Sequence, residues 1–333
     1  MARLRIGTWL AGGVAALGGT LLARDAYTLS VISSIAIAVL IASSLRFVML
    51  IGELNFATAA FVGIGAYGAG AATTLLHWPF LAALLLGGVL AAAVSVAFGA
   101  ITLRTRGPYF LLVGFAFTEA ARILYSKLDL LGGTSGMIGI FPPRALDGWM
   151  PLLVVAVVLA MIFALWAVER SDAGKVLVAI RDNEDVARSV GINVLFARVA
   201  CVAIASACAG VAGSLHAFVN NVISPGDFGY LLSTFALAYV KVGGEASVAG
   251  PIAGAALLGA LGAYALGLGA GEHLFYGGAI VLAVVLMPDG VTGIAGKALA
   301  RLAARWRARA GGPAEHRLST PPPSEAPPPE ERP

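Results

Sequence analysis

Long stretches of Leu, Ala, Val, Ile and Gly succeed one another along this chain, separated by short polar joints. They show neither the strict alternation of half-buried strands nor the broad polar face of a surface helix. The runs recur at about 20 residues, the length that carries a helix across the hydrocarbon core of a bilayer. Ten spans are predicted, at about 6–22, 27–50, 54–76, 80–102, 108–126, 150–168, 199–219, 229–246, 250–269 and 273–288. Backbone amides in lipid must be satisfied within their own segment, and the missing two-residue period argues against an outer-membrane barrel. The expected fold class is an all-α polytopic membrane protein.

Two of the spans depart from the pattern. The first, RLRIGTWLAGGVAALGGTLLARD, has a basic start and a short apolar core, so a signal peptide competes with an uncleaved helix. No A-x-A cleavage site follows, which favours the uncleaved helix. The eighth, FGYLLSTFALAYVKVGGEASVAG, has an apolar core of only about a dozen residues before Lys241. That is short for a crossing and suits a broken or re-entrant segment.

Composition agrees with the pattern. The 333 residues are 59% hydrophobic and 12% charged, with a mean hydropathy of +0.88, whereas about a quarter of a soluble domain is charged. The 42 glycines imply closely packed helices, because small residues let backbones approach where lipid gives no hydrophobic drive between helices. Cys201 and Cys208, seven apart on one span, lie about 10 Å from one another, beyond disulfide reach. They are read as packing residues.

A net charge of +4 is too small to suggest nucleic acid, but its distribution reports topology. The segment 169–198, ERSDAGKVLVAIRDNEDVARSVGINVLFAR, holds ten of the forty charged residues. With this loop taken as cytoplasmic, counting outward places Arg3, Arg5, Arg46, Arg104, Arg106, Arg170, Lys175, Arg181, Arg188 and Arg198 inside. Lys297, Arg301, Arg305, Arg307 and Arg309 join them, and only Arg24, Lys127 and Arg144 fall outside. Ten spans with both termini inside satisfy the positive-inside rule. The chain then divides into an N-terminal helix (1–26), a membrane domain (27–296), a basic amphipathic segment (297–310) resting on the inner membrane face, and a Pro-rich tail (311–333).

Within the loop, Val176, Ile180, Asn183, Ala187 and Val190 follow a 4, 3, 4, 3 spacing. This predicts one helical stripe over 176–191, apolar except at Asn183, with Arg181, Asp185 and Arg188 facing away and Gly191 stopping the helix. Interfacial helices carry a lysine- and arginine-rich polar face, but here Asp182, Glu184 and Asp185 offset the basic residues. The mixed signs favour a docking element for another protein over a lipid-bound helix.

The block GKVLVAIRDNEDVARSVGINVLFARVACVAIASACAGVAGSLHAFVNNVISPGDF resembles the permeases of ABC transporters for branched-chain amino acids, specifically the longer of the two paired permeases. The resemblance extends, in the family's order, to GELNFATAAFVGIGAYGAG (52–70), ITLRTRGPYFLLVGFAFTEAARIL (101–124), GGTSGMIGI (132–140), GGEASVAGPIAGAALLGAL (243–261) and LMPDGVTGI (286–294). It implies ten helices in two pseudo-symmetric inverted halves. The GAY triplets at Gly65–Tyr67 and Gly262–Tyr264 are compatible with that symmetry. It also implies that the cytoplasmic loop docks on an ATPase subunit. DVARSVG (185–191) is similar to the weak form of the family's E-A-A-x-x-x-G signature, with Asp185 in place of Glu. The coupling residues implied are Arg181, Asp182, Glu184, Asp185, Ala187 and Gly191. The partners implied are two ABC ATPase subunits, a shorter paralogous permease, a periplasmic solute-binding protein and membrane lipid, in a bacterial inner membrane. The chain has no G-x-x-x-x-G-K-[ST] phosphate loop; GVTGIAGKA (290–298) lacks both the first glycine and the hydroxyl residue. No cofactor is expected in this chain, and ATP and Mg belong to the partner subunits.

Intramembrane polar residues mark the candidate solute pathway. Glu119 and Arg122 stand at i and i+3 in span five, as a mutually neutralising pair or a solute contact. Asn55 and Thr58 share a helical face with Gly65 and either line a path or bond to a neighbouring helix. Relatives commonly carry Gln, Ser, Gly and His where this chain has Glu53, Asn55, Ala57 and Thr58. With that departure, the resemblance leaves the expected solute open between a branched-chain amino acid and a related amide, urea-like solute or aromatic acid. Lys241 and Glu245, an i, i+4 pair where the family is usually apolar, are read as snorkelling to the inner interface. His77 and His216 have no ligand partner at metal spacing, and no catalytic triad, carboxylate pair or dinucleotide fingerprint is present. A transporter subunit is expected, not an enzyme. The rival reading is a stand-alone secondary transporter or channel, coupled to an ion gradient through Glu119 and Lys241.

Overall fold

The computed structural model describes residues 25–104, 108–143, 146, 148–265, 277–278, 281 and 290–293. The predicted span 6–22, the basic segment, the Pro-rich tail and all of the predicted span 273–288 but 277–278 and 281 lie outside the described residues. Ten helices are described: α1 (Ala26–Val48), α2 (Thr58–Thr74), α3 (Phe80–Thr102), α4 (Pro108–Lys127), α5 (Met150–Arg170), α6 (Asp172–Asp182), α7 (Glu184–Ser189), α8 (Val194–Asn220), α9 (Tyr230–Gly243) and α10 (Ala249–Ala265). Eight of them match predicted spans two to nine, and α6 and α7 occupy the charged loop. Among the described residues, four segments are long and apolar enough to cross a membrane: Ala26–Ile51, Phe80–Thr102, Met150–Arg170 and Val194–Asn220.

The core is a backbone-to-backbone contact of α2, α3 and α8. A Cβ on Gly65 would fall 2.1 Å from the carbonyl oxygen of Gly210, and one on Gly87 would fall 2.6 Å from that of Gly65. Only glycine permits this approach, which brings peptide dipoles and apolar surfaces together without intervening side chains. The Ser214 hydroxyl closes the contact, within hydrogen-bond distance of Gly65 O (3.2 Å) and Gly210 O (3.0 Å). Cys201 and Cys208 lie buried in α8 as free thiols, in the packing role expected of them.

The bundle has two chemically distinct ends. At one, here the loop end, Arg46, Glu169, Arg181, Lys241 and Glu245 gather with α6 and α7. At the far end, β1 (Met137–Ile138) pairs antiparallel with β2 (Val222–Ile223), tying together the loops 127–149 and 220–228, the first of which carries Lys127 and Arg144 of the side predicted to face outward. Asn221 ends α8 in the left-handed region (φ 60°), which turns the chain into β2.

Two sequence expectations change and one is borne out. The helix predicted from residue 54 begins only at Thr58: Gly52 adopts φ 80° and residues 53–57 are not helical. In ELNFATAAF the side chains of Asn55 and Thr58 bond to nearby backbone and compete with the helix. The eighth span is indeed short. α9 has 14 residues, roughly 21 Å against a hydrocarbon core of about 30 Å, and ends where Gly244 takes φ 106°.

The single helix expected over 176–191 is two helices. Asn183 leaves the helical region (φ −158°, ψ 104°) and caps α7, its Oδ1 accepting from the amides of Asp185 (3.1 Å) and Val186 (3.2 Å). Two acidic residues then occupy the first turn of α7, where the helix dipole favours them. The stripe is consequently cut. Leu177, Ile180, Ala187 and Val194 are buried, while Asn183 is exposed and Val190 is 71% exposed. Gly191 does stop the helix, at φ 86°, its N–H donating to Arg188 O and that of Ile192 to Ala187 O.

Candidate functional site

Three contacts hold the α6–α7 elbow and the α5 end from which it leaves. Arg46, buried at the end of α1, donates from Nη1 and Nη2 to the two carboxylate oxygens of Glu169 (2.8 and 2.9 Å). Its Nε donates to Glu245 O at 2.9 Å. A planar guanidinium suits such a bidentate pair, which joins the ends of α1 and α5 to the turn after α9. The second point is Arg181, whose stem lies over the Gly52 turn: a Cβ there would meet Arg181 Cγ at 3.1 Å. The third is Glu184, which accepts from Arg188 (2.6 Å) and from buried Arg198 of α8 (3.0 Å).

These contacts sort the six predicted coupling residues. Arg181, Asp182 and Asp185 present exposed charged groups, with Arg181 and Asp182 paired at 3.3 Å. Ala187 is core and Gly191 is the helix stop. Glu184 is turned inward and mostly buried. At the exposed start of α6, the hydrogen bond and charge of Lys175 hold the Asp172 carboxyl below the usual carboxylate range.

A cavity of about 410 Å³ lies beneath Arg181, lined also by Gly52, Glu53, Arg46, Lys241 and Glu245. Lys241 and Glu245 are ion-paired, so this pair forms part of the cavity wall as well as standing at the end of α9.

Above the cavity, the helix break at 52–57 is held by hydroxyl groups. Phe56 O accepts from Thr118 Oγ1 and from Ser233 Oγ, both at 2.9 Å, and Ser233 Oγ accepts from Ala59 N at 3.0 Å. Thr118 stands about 15 Å along α4 from its start, near the middle of that helix. Irregular backbone at mid-depth is tolerated where protein buries it or where it borders a cavity, and transporter sites are built this way.

The predicted pathway residues do not converge. Asn55 and Thr58 are buried in the break and shape it locally: Asn55 Oδ1 accepts from Ala57 N (3.1 Å), and Thr58 Oγ1 donates to Asn55 O (2.8 Å). Gly65 packs against α8 in the glycine core. Glu119 and Arg122 form the expected ion pair at 2.7 Å, and Glu119 Oε1 also accepts from Tyr230 N at 3.3 Å, capping α9. Thr118, Ser233 and Glu169 carry as much of the arrangement as any predicted residue. Their sequence signal was weak: two hydroxyls in apolar helices and one acid at a span end. Among the described residues, no group of His, Cys, Asp and Glu is arranged to hold a metal ion.

A family model described as the permease component of the branched-chain amino acid transport system matches residues 27–307. The high-affinity branched-chain amino acid transport system permease protein LivM of Escherichia coli is 27% identical over 270 residues, covering 72% of this chain and 64% of LivM. LivM of Salmonella typhimurium matches to the same extent. The chain thus spans a little under two thirds of the length of these curated relatives. No solved structure gives a significant match.

Proposed function

The chain belongs to the permease-component family of branched-chain amino acid transport systems, and from that premise we propose that it is the membrane-spanning subunit of an ABC importer. It moves branched-chain amino acids, or a related small polar solute, into the cytoplasm, driven by ATP hydrolysis on separate subunits. The observation that carries this reading is the elbow: two short helices outside the apolar bundle, exposing Arg181, Asp182 and Asp185 while fastened through Glu184–Arg198, with Arg46–Glu169 bracing the α5 end just before them.

In the working complex, two ATPase subunits grip the elbows of this chain and of a shorter paralogous permease. A solute-binding protein delivers the solute at the far end, over the loops joined by the β1–β2 ribbon. The site is a bacterial inner membrane, with the loop end in the cytoplasm. The architecture is the ten-helix, two-halved form that the resemblance implies. Movement of the elbow reaches the Gly52 turn through Arg181 and the turn after α9 through Arg46. Both border the cavity under the 52–57 break, which serves as the inner vestibule. No cofactor acts in this chain. The ion-gradient alternative would use Glu119 and Lys241 as coupling groups, but each is held in an ion pair.

Reconstitution of the chain with its ATPase, permease and binding-protein partners should give uptake of leucine that requires ATP. Uptake by the chain alone under a proton or sodium gradient, without ATP, would overturn the proposal.

A further inference from the structure

A second cavity, of about 260 Å³, opens at the loop end between the end of α3, the α7 helix and the start of α8. It is lined by Leu103 and Arg104 from the α3 end, Glu184 and Arg188 from α7, and Leu195 and Arg198 from α8. Among the described residues, three guanidinium groups therefore face one carboxylate, and Glu184 already serves both Arg188 and Arg198. Positive charge remains in excess. Arg198 is only 7% exposed, yet its Nε has no hydrogen-bond partner. A buried cationic donor left open is unfavourable, and its need is met by an anion.

The surroundings identify the anion. α3 and α8 are two of the helices long and apolar enough to cross a membrane. Ile101, 73% exposed, and Phe196, 72% exposed, flank the cavity along the chain. The basic pocket thus lies where exposed apolar side chains give way to charge, the level of a lipid headgroup. Arginine clusters recognise phosphate oxygens through several charge-assisted bonds at once, and basic pockets between membrane helices on the inner face take anionic headgroups.

We propose that this cavity binds the phosphate of an anionic phospholipid, with Arg104, Arg188 and Arg198 as its cationic partners and Ile101 and Phe196 beside the acyl chains. The lipid cross-links α3 to the α7–α8 corner and so becomes part of the mount of the elbow. This requires only that the chain lie in a membrane; it does not depend on the solute or on the ATPase.

The test follows thermal unfolding of the full-length protein in neutral detergent during titration with phosphatidylglycerol, phosphatidylcholine or inorganic phosphate. Phosphatidylglycerol should raise the unfolding midpoint, and the other two should not. Because Arg198→Gln also removes one of the partners of Glu184, the exposed Arg104→Gln carries the comparison and should weaken the apparent affinity for phosphatidylglycerol about fivefold. An equal response to phosphatidylcholine, or an Arg104→Gln protein that titrates like the wild type, would overturn the site. A shift reproduced by inorganic phosphate would overturn the lipid as its source. Stabilisation seen only on adding the ATPase subunit would assign the pocket to protein docking instead. None of these outcomes bears on ATP-dependent uptake, so this inference and the importer reading fail separately.

Discussion

Arg46 and Glu169, 123 residues apart in the chain, meet in a two-bonded ion pair that closes the base of the elbow. Both are largely withdrawn from solvent, so neither charge tolerates loss of the other. Removing one partner of such a pair costs about 3–5 kcal/mol, mostly because an uncompensated charge stays buried. Arg46→Ala and Glu169→Ala should therefore each lower the unfolding midpoint in detergent clearly. The milder Glu169→Gln, which keeps an acceptor, should fold yet couple ATP hydrolysis to uptake less tightly. Uptake per ATP unchanged in Glu169→Gln would show that the pair is structural only.

Neighbouring acids on α7 should behave in opposite ways. Asp185 is exposed, and Asp185→Lys should leave the protein folded while uncoupling ATP hydrolysis from uptake. Glu184 is mostly buried against Arg198, and Glu184→Lys should reduce stability and yield before any docking defect can be read. If both variants transport normally, the charge pattern is no docking device.

Asn183 should be needed for its cap and not for its polarity alone. Asn183→Ala removes the acceptor for two α7 amides, a loss of about 1 kcal/mol. Faster hydrogen exchange over 184–189 is the expected readout. Asn183→Asp should restore slow exchange, since a carboxylate also caps.

The glycine core gives a steric prediction. Gly210→Ala would place a methyl group 2.6 Å from Gly87 O, too close for a carbon, and overpacking of this kind costs about 1–3 kcal/mol. A Cβ on Gly226 would meet only the Ser224 hydroxyl, at 3.6 Å. Gly226→Ala should leave thermal stability near the wild type, and comparing the two in one detergent checks the contact.

Ser233 bridges the broken segment, donating to Phe56 O and accepting from Ala59 N. Ser233→Ala leaves Ala59 N without this partner, at about 1–3 kcal/mol for a buried donor, although Phe56 O keeps Thr118. Uptake kinetics should change more in Ser233→Ala than in Thr234→Ala, because the Thr234 hydroxyl bonds within its own helix.

The helices that were legible in the sequence are those whose apolar runs have no internal competitor. α1, α3, α5 and α8 begin and end within a few residues of prediction because charge, Pro or a polar cap bounds each run. The break at 52–57 was hidden, since ELNFATAAF is apolar enough to read as helix and the local bonds of Asn55 and Thr58 form only in the folded chain. Asn183 was visible as a polar intruder in an apolar stripe. Its place before Glu184 and Asp185 is an N-cap signature, and that signal outweighed the spacing. The partners of Arg46, Glu184 and Gly65 could not be read at all, because each pairing depends on how distant helices stack.

The contact of Gly65, Gly87 and Gly210 also determines where this molecule can hinge. Where main chain touches main chain, with only the small Ser214 side chain beside it, there is no bulky side chain to change rotamer and no gap to widen gradually. α2, α3 and α8 therefore travel as one block, and any alternation of access must open a different seam. The seam between α2 and α9 is spanned by the hydroxyl of Ser233, a hydrogen bond that can break and re-form. Distances between probes on α3 and α8 should then stay fixed through a transport cycle, while those from α2 to α9 lengthen and shorten with it.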